Sequence, residues 1–154
     1  MCTFVKYIIC VIVLVSFTAC QAKEQIVIKM SPGEWAAFFV DIADTPQSQE
    51  RGLMFVDEMP EDEGMLFTYE RPTSAQFWMK NTYISLDILF FDHENKLIYI
   101  TRGAKPHDEK PVGPLTPVCS VLELNGGTAQ EMKIEVGAQL ITNITQECLQ
   151  YLSE

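Results

Sequence analysis

The sequence predicts an α+β domain that is mostly β: a small, partly closed antiparallel or mixed β-barrel of about seven short strands with two short helices. Three observations lead to it. Apolar and β-branched runs of strand length recur along the chain, set apart by Gly, Pro, Asn and Asp turn signals. The helical stretches between them look too short for crossovers, so hairpins should dominate. Nine Phe, five Tyr and two Trp are more aromatic surface than one open layer can bury, so the sheet should curl on itself.

In chain order, residues 1–19 read as a secretory signal. Lys6 is followed by an apolar run, then by small residues before Cys20. The run is about half of the roughly 20 residues that a spanning helix needs. Thr18-Ala19-Cys20 resembles a bacterial lipobox, which makes Cys20 the lipid-attachment residue and the chain a membrane-anchored envelope lipoprotein facing the periplasm or the cell exterior. The alternative is cleavage after Ala22 and a soluble periplasmic or secreted protein. Residues 20–34 are a tether with a first short strand, carrying alternating Ile26, Ile28 and Met30.

The globular domain should span residues 35–145. Residues 35–43 (WAAFFVDIA) read as a strand. Thr45 can cap a short helix with Pro46 at its first position, closed by Gly52. Residues 57–63 form an acidic, solvated loop without the ligand spacing of an EF-hand. Residues 64–69 alternate as a strand, and residues 77–80 and 86–91 form two more, joined by a turn at 81–85. A hairpin at 92–95 returns as residues 96–102. Residues 103–117 hold four prolines and two glycines, a long loop that suits a surface crossover or a lid. A strand at 118–124, a helix from Thr128 to about Ile134 with a Thr128/Glu131 capping box, and a strand at 139–144 complete the domain. Residues 146–154 are a C-terminal tail.

Residues 1–19 hold one Lys and no acid, so the chain from Cys20 carries ten bases against 21 acids, a net charge of −11. That excess repels phosphate backbones, and no basic stripe offsets it, so nucleic acid is not an expected partner. Two His without ligand-spaced neighbours make no metal site. Neither a nucleophile elbow nor a phosphate loop is present, and no cofactor is implied. Of five Cys, only Cys119 and Cys148 fall in the domain; they are either a disulfide, which export permits, or two separate thiols.

Four ordered motifs carry a family resemblance: Arg51-Gly52-Leu53-Met54; Gly64-Met65-Leu66-Phe67; Phe77-Trp78-Met79-Lys80-Asn81-Thr82 with Leu86-Asp87; and Val121-Leu122-Glu123-Leu124 with Gly126-Gly127-Thr128 and Gly137. The chain resembles the uncharacterised family known as domain of unknown function 192, or uncharacterised protein family 0127, over roughly residues 40–144. Ser85 departs from it, standing where the family usually has Pro, and Val56-Asp57 replace an arginine signal after Phe55. The resemblance implies a compact β-rich domain, often behind an export signal, and no established activity.

Arg51, Lys80, Asn81, Asp87 and Glu123 are the polar members of otherwise apolar motifs. A lone buried charge is costly, so such groups pair or change protonation. Two readings follow. Arg51, Trp78, Lys80, Asn81, Asp87 and Glu123 line a pocket for a small polar ligand, with Trp78, Phe55 or Tyr83 as an aromatic wall; or they form an internal ion-pair network that fixes strand register in a structural or protein-interaction module. A third, a carboxylate-dependent hydrolase, needs Asp87 and Glu123 as a pair about 5–9.5 Å apart. No residue is assigned a catalytic role. The partners expected are a small polar molecule or an envelope protein, and the membrane through Cys20.

Overall fold

The computed structural model describes residues 22–30, 33–144 and 148. The expected signal, Cys20 and most of the C-terminal tail lie outside them. Seven strands and two helices follow in the order β1 (Glu24–Lys29), β2 (Trp35–Ala43), α1 (Pro46–Arg51), β3 (Glu63–Thr73), β4 (Leu86–Phe91), β5 (Leu97–Ala104), β6 (Val118–Asn125), α2 (Thr128–Glu131) and β7 (Gln139–Ile141). They build one curled sheet in the order β5-β4-β6-β3-β2-β1-β7. Its two ends approach each other: Lys96 bridges Gln139, and Leu97 and Ala138 share a backbone hydrogen bond of 2.8 Å. The barrel is thus partly closed and mostly β, as the aromatic content requires.

Pairing is antiparallel except between β2 and β3, which run parallel with Val40 opposite Gly64. The six-residue α1 and the acidic segment behind it do serve as a crossover, against the expectation that the helices are too short for one. Thr45 caps α1: its hydroxyl accepts from the Ser48 N–H at 3.1 Å, and the Ser48 hydroxyl accepts from the Thr45 N–H at 3.0 Å. Pro46 follows, where its missing N–H costs nothing.

β4 is buried at every position and β6 at all but its last, because both faces of the sheet are covered. On the enclosed face every strand contributes a side chain, among them Ile26, Phe38, Leu66, Leu89, Leu122 and Leu140. On the other face Phe67, Ile88, Phe90, Val121 and Met79 pack beneath the turn after α1 and the segments around β3–β4 and β5–β6. At about 25 cal/mol per Å² of apolar surface, burial of these two apolar layers is the main driving force for the fold.

Three expectations differ. Residues 77–80 do not form a strand; only Phe77 bridges Val112, and the chain turns at Lys80 and Asn81. Residues 103–117 are not a free loop but the partner of that segment, tied by Phe77–Val112, Met79–Asp108 and Thr82–His107 backbone hydrogen bonds. Thr128 does not cap α2. The N-cap is Gly127, in a left-handed conformation at φ 100°, with no side-chain cap of its own.

The cap comes from Asp87. Its Oδ2 accepts from the Gly127 and Ala129 N–H groups at 3.1 and 2.8 Å, and its Oδ1 from the Gly103 N–H at 2.7 Å. A carboxylate that is 1% exposed is thus satisfied by three backbone donors rather than by a cation. Cys119 and Cys148 form a disulfide with Cα atoms 5.6 Å apart, which resolves the open choice in favour of the bridge.

Replacing Asp87 by Ala strands three donors at the barrel end. We expect a loss of about 3–5 kcal/mol in urea unfolding, with Asp87→Asn losing less because one acceptor oxygen remains. An alanine variant as stable as wild type would remove Asp87 from this role.

Candidate functional site

Side chains alternate along a strand, so the register decides which face each polar residue serves. Ile88 pairs with Glu123 and Asp87 with Leu124. Leu124 belongs to the enclosed core and Ile88 to the opposite one. Asp87 and Glu123 therefore lie on opposite faces of the sheet and do not form an acid/base pair.

Glu123 projects from β6 beneath the cover formed by the Arg51–Met54 turn and the Phe77–Thr82 segment. It is 4% exposed, and its Oε2 has no hydrogen-bond partner. Burial pushes its carboxyl up to about 8, so it is neutral at neutral pH. Tyr69, on the same face of β3, is itself raised by burial and by the neighbouring Glu123. Gly52 stands over the carboxyl. At φ 48° and ψ −136° it adopts a backbone conformation that side chains resist, and a Cβ there would sit 3.3 Å from the Phe67 ring and 3.9 Å from Glu123 Oε2. The space this leaves is a slot of about 30 Å³, walled by Gly52, Phe67, Phe77, Trp78 and Thr82 with Glu123 at its floor. It has room for one small polar group.

The slot shares Glu50, Arg51, Met54 and Trp78 with a wider surface groove of about 420 Å³. Gln47, Phe55, Lys80 and Asn81 complete that groove. Trp78 is 46% exposed and Phe55 57%, so both rings are available to a ligand. Lys80 Nζ lies 5.1 Å from the Trp78 ring centroid, a cation–π contact that holds the ammonium at the rim. Tyr83 touches both Phe55 and His107, extending the aromatic edge.

The backbone around the groove is strained and rigidly tied. Phe55, Asn81 and His107 have φ of 65°, 54° and 62°, values that bulky residues seldom adopt. Each is held by a hydrogen bond between segments: the Phe55 N–H donates to the Asn81 carbonyl at 2.8 Å, and the His107 N–H to the Thr82 carbonyl at 3.2 Å. Such strain collects where surrounding structure fixes a site. A larger hollow of about 740 Å³ lies across the α1 turn, but it lacks aromatic walls and carries Glu24, Asp41 and Asp44. Among the described residues, no group of three or more His, Cys, Asp or Glu is placed to hold a metal.

Of the six sequence-derived ligand candidates, Arg51, Trp78, Lys80 and Asn81 meet in the groove and Glu123 lies beneath it. Asp87 is engaged elsewhere. The anticipated ion pairs are absent: neither Arg51 nor Lys80 bridges Asp87 or Glu123. The slot wall at Gly52 and the rim position of His107 were not anticipated. The glycine inside the Arg51–Met54 motif was the available sign, since a glycine at a helix end often marks close approach of another group.

Fold and site together define a small β-barrel domain with a polar-aromatic groove over a buried carboxyl. The chain belongs to the family described as Uncharacterized ACR, the domain of unknown function 192, which matches residues 27–142. Among solved structures, it is similar to a candidate transcription regulator from Sinorhizobium meliloti 1021. The identity is 36%, the TM-score 0.76, and the match covers 79% of this chain and 94% of that one. A protein of unknown function from Novosphingobium aromaticivorans DSM 12444 is also similar, with 36% identity, a TM-score of 0.73, and coverage of 76% and 83%. No curated protein matches the chain.

The Glu123 carboxyl generates a pH prediction. The unfolded chain loses its proton near 4.5, the folded chain only near 8. Stability from this group is therefore full below about pH 4.5, declines between 4.5 and 8, and levels off above 8. The stability difference between Glu123→Gln and wild type should move in the variant's favour by on the order of 5 kcal/mol across that window. Urea unfolding at several pH values reads it directly; a difference that stays constant would mean that the carboxyl titrates alike in the folded and unfolded chains.

Proposed function

We propose that this is an exported, lipid-anchored envelope protein that binds a small polar ligand in the groove over Glu123. The observation that carries the reading is the convergence of Trp78 and Phe55 with Arg51, Lys80 and Asn81 around a preformed hollow. Small-molecule sites are commonly built from an aromatic wall and a few convergent polar groups. The Cys119–Cys148 bridge supports export, because disulfides persist in oxidising compartments. The Thr18-Ala19-Cys20 motif supports anchoring at Cys20, where acyl chains would add about 0.8 kcal/mol per buried methylene. The regulator name of the Sinorhizobium protein is not carried over, since the acid excess of this chain opposes nucleic acid. A structural role is favoured for Asp87 alone, whose three backbone bonds leave it nothing to offer a ligand.

Two experiments test the reading. In a thermal-shift screen of sugars, amino acids and small carboxylates, at least one class should raise the melting temperature of the full chain. Trp78→Ala should abolish that shift while its unliganded melting temperature stays within a few degrees of wild type, as expected for an exposed ring. Hits that Trp78→Ala retains, or no hit at all, would count against the groove. Cys20→Ala should move the protein from the membrane to the soluble fraction; a wild-type protein that is already soluble would favour cleavage after Ala22.

A further inference from the structure

The groove is richer in hydrogen-bond donors than the chain around it. The chain carries 21 acids against 11 bases, yet the groove holds Arg51, Lys80 and the Asn81 amide with Glu50 as its one acidic side chain. Arg51 and Lys80 can meet a carboxylate, the first with a planar fork and the second as a point charge. Trp78 and Phe55 offer exposed ring faces for the apolar side of a sugar. The slot beside them admits one oxygen-sized group and ends on an unpartnered carboxyl oxygen. An orphaned polar atom of this kind favours a ligand that completes its hydrogen bonding.

We propose that the groove takes a carboxylate-bearing sugar of the hexuronate class, with its carboxylate at Arg51 and Lys80, its ring on Trp78, and one ring oxygen or hydroxyl in the slot against Glu123. This rests on the groove being a ligand site and names what enters it. A neutral Glu123 donates to the ligand oxygen. An ionised one loses that donor and sets a negative charge beside an anion. The groups facing Glu123 from the elements packed on it are Tyr69 of β3, Glu50 and Arg51 at the end of α1, and Thr82 of the covering segment. Burial and Glu123 raise the Tyr69 hydroxyl further still, so Glu123 is the group here that titrates in the mildly alkaline range.

The test uses the full chain in detergent and D-glucuronate as the probe, with D-glucose as the neutral control, followed by calorimetry. Glucuronate should bind at least tenfold more tightly than glucose. Its affinity should fall about tenfold from pH 7 to pH 9, as a group titrating near 8 requires if only the neutral form binds. Glu123→Gln, which stays neutral and keeps a donor, should bind with a flat pH profile. Glu123→Leu should lose binding. The wild-type pH profile needs no variant, so the proposal stays testable even if a substitution disturbs folding. Glucuronate binding that Trp78→Ala abolishes but that ignores pH would overturn the role of the slot while leaving the groove in place. A groove that binds glucose equally, or binds another compound class and not glucuronate, would overturn the ligand class. Glucuronate binding that survives Trp78→Ala would place the ligand elsewhere and overturn both.

Discussion

The Asp87 carboxylate is the fastening on which the barrel end depends. A four-residue helix such as α2 has almost no stability of its own, since its first N–H groups lack partners within the helix. Asp87 supplies two of those partners from a strand 42 residues upstream of Ala129, and with its other oxygen holds Gly103 at the end of β5. One side chain thus ties β4, β5 and α2 together. Ala129 and Ile134 then pack into the enclosed core. The same constraint fixes the register of β4 against β6, because a one-residue slip would turn Asp87 to the opposite face.

That register also decides where Glu123 points. The two carboxylates sit at successive rungs of one strand pair, and their environments differ completely. Asp87 accepts from three backbone N–H groups. Glu123 is walled by Phe67, Phe77 and Gly52, and relieves its burial by holding a proton. Stability alone gives no reason for an unpartnered carboxyl here, since an apolar residue of similar size usually serves a core at least as well. A buried group with a shifted pKa beneath an open groove is instead a recognised mark of a functional site. The left-handed backbone at Phe55, Asn81 and His107 points to the same rim by an independent route.

Much of the fold was legible in the sequence because it follows from local rules. Aromatic and β-branched residues located β2, alternation located the first part of β3, and Thr45-Pro46 located α1 to the residue. The misreadings share a cause: each depended on a partner distant in sequence. Thr128 and Glu131 look like a capping box until Asp87 takes the cap. Phe77–Lys80 has the composition of a strand, yet its neighbours Val112 and Asp108 come from a proline-rich segment that offers a single bridge rather than a ladder. The parallel pairing of β2 with β3 requires only that the chain return in the same direction, and an eleven-residue loop behind a short helix is enough; both were legible in the sequence, but not that together they carry the chain across to a parallel strand. The polar site residues were recognisable as anomalies in apolar runs, but only the register separates Asp87 from the rest.

The groove is preformed, and that shapes what it can select. Its two walls are joined through Phe55–Asn81 and braced behind by Thr82–His107 and Met79–Asp108 backbone bonds, so a ligand need not order them on arrival. A rigid aromatic wall discriminates weakly between compounds of similar shape, because apolar contacts differ by only about 1–3 kcal/mol. A buried polar atom discriminates more strongly, since a ligand that fills the slot without satisfying Glu123 leaves it desolvated and unpaired. Selectivity in this architecture therefore resides less in the exposed Trp78 than in the concealed carboxyl behind it, and the glycine at position 52 is what leaves that carboxyl within reach.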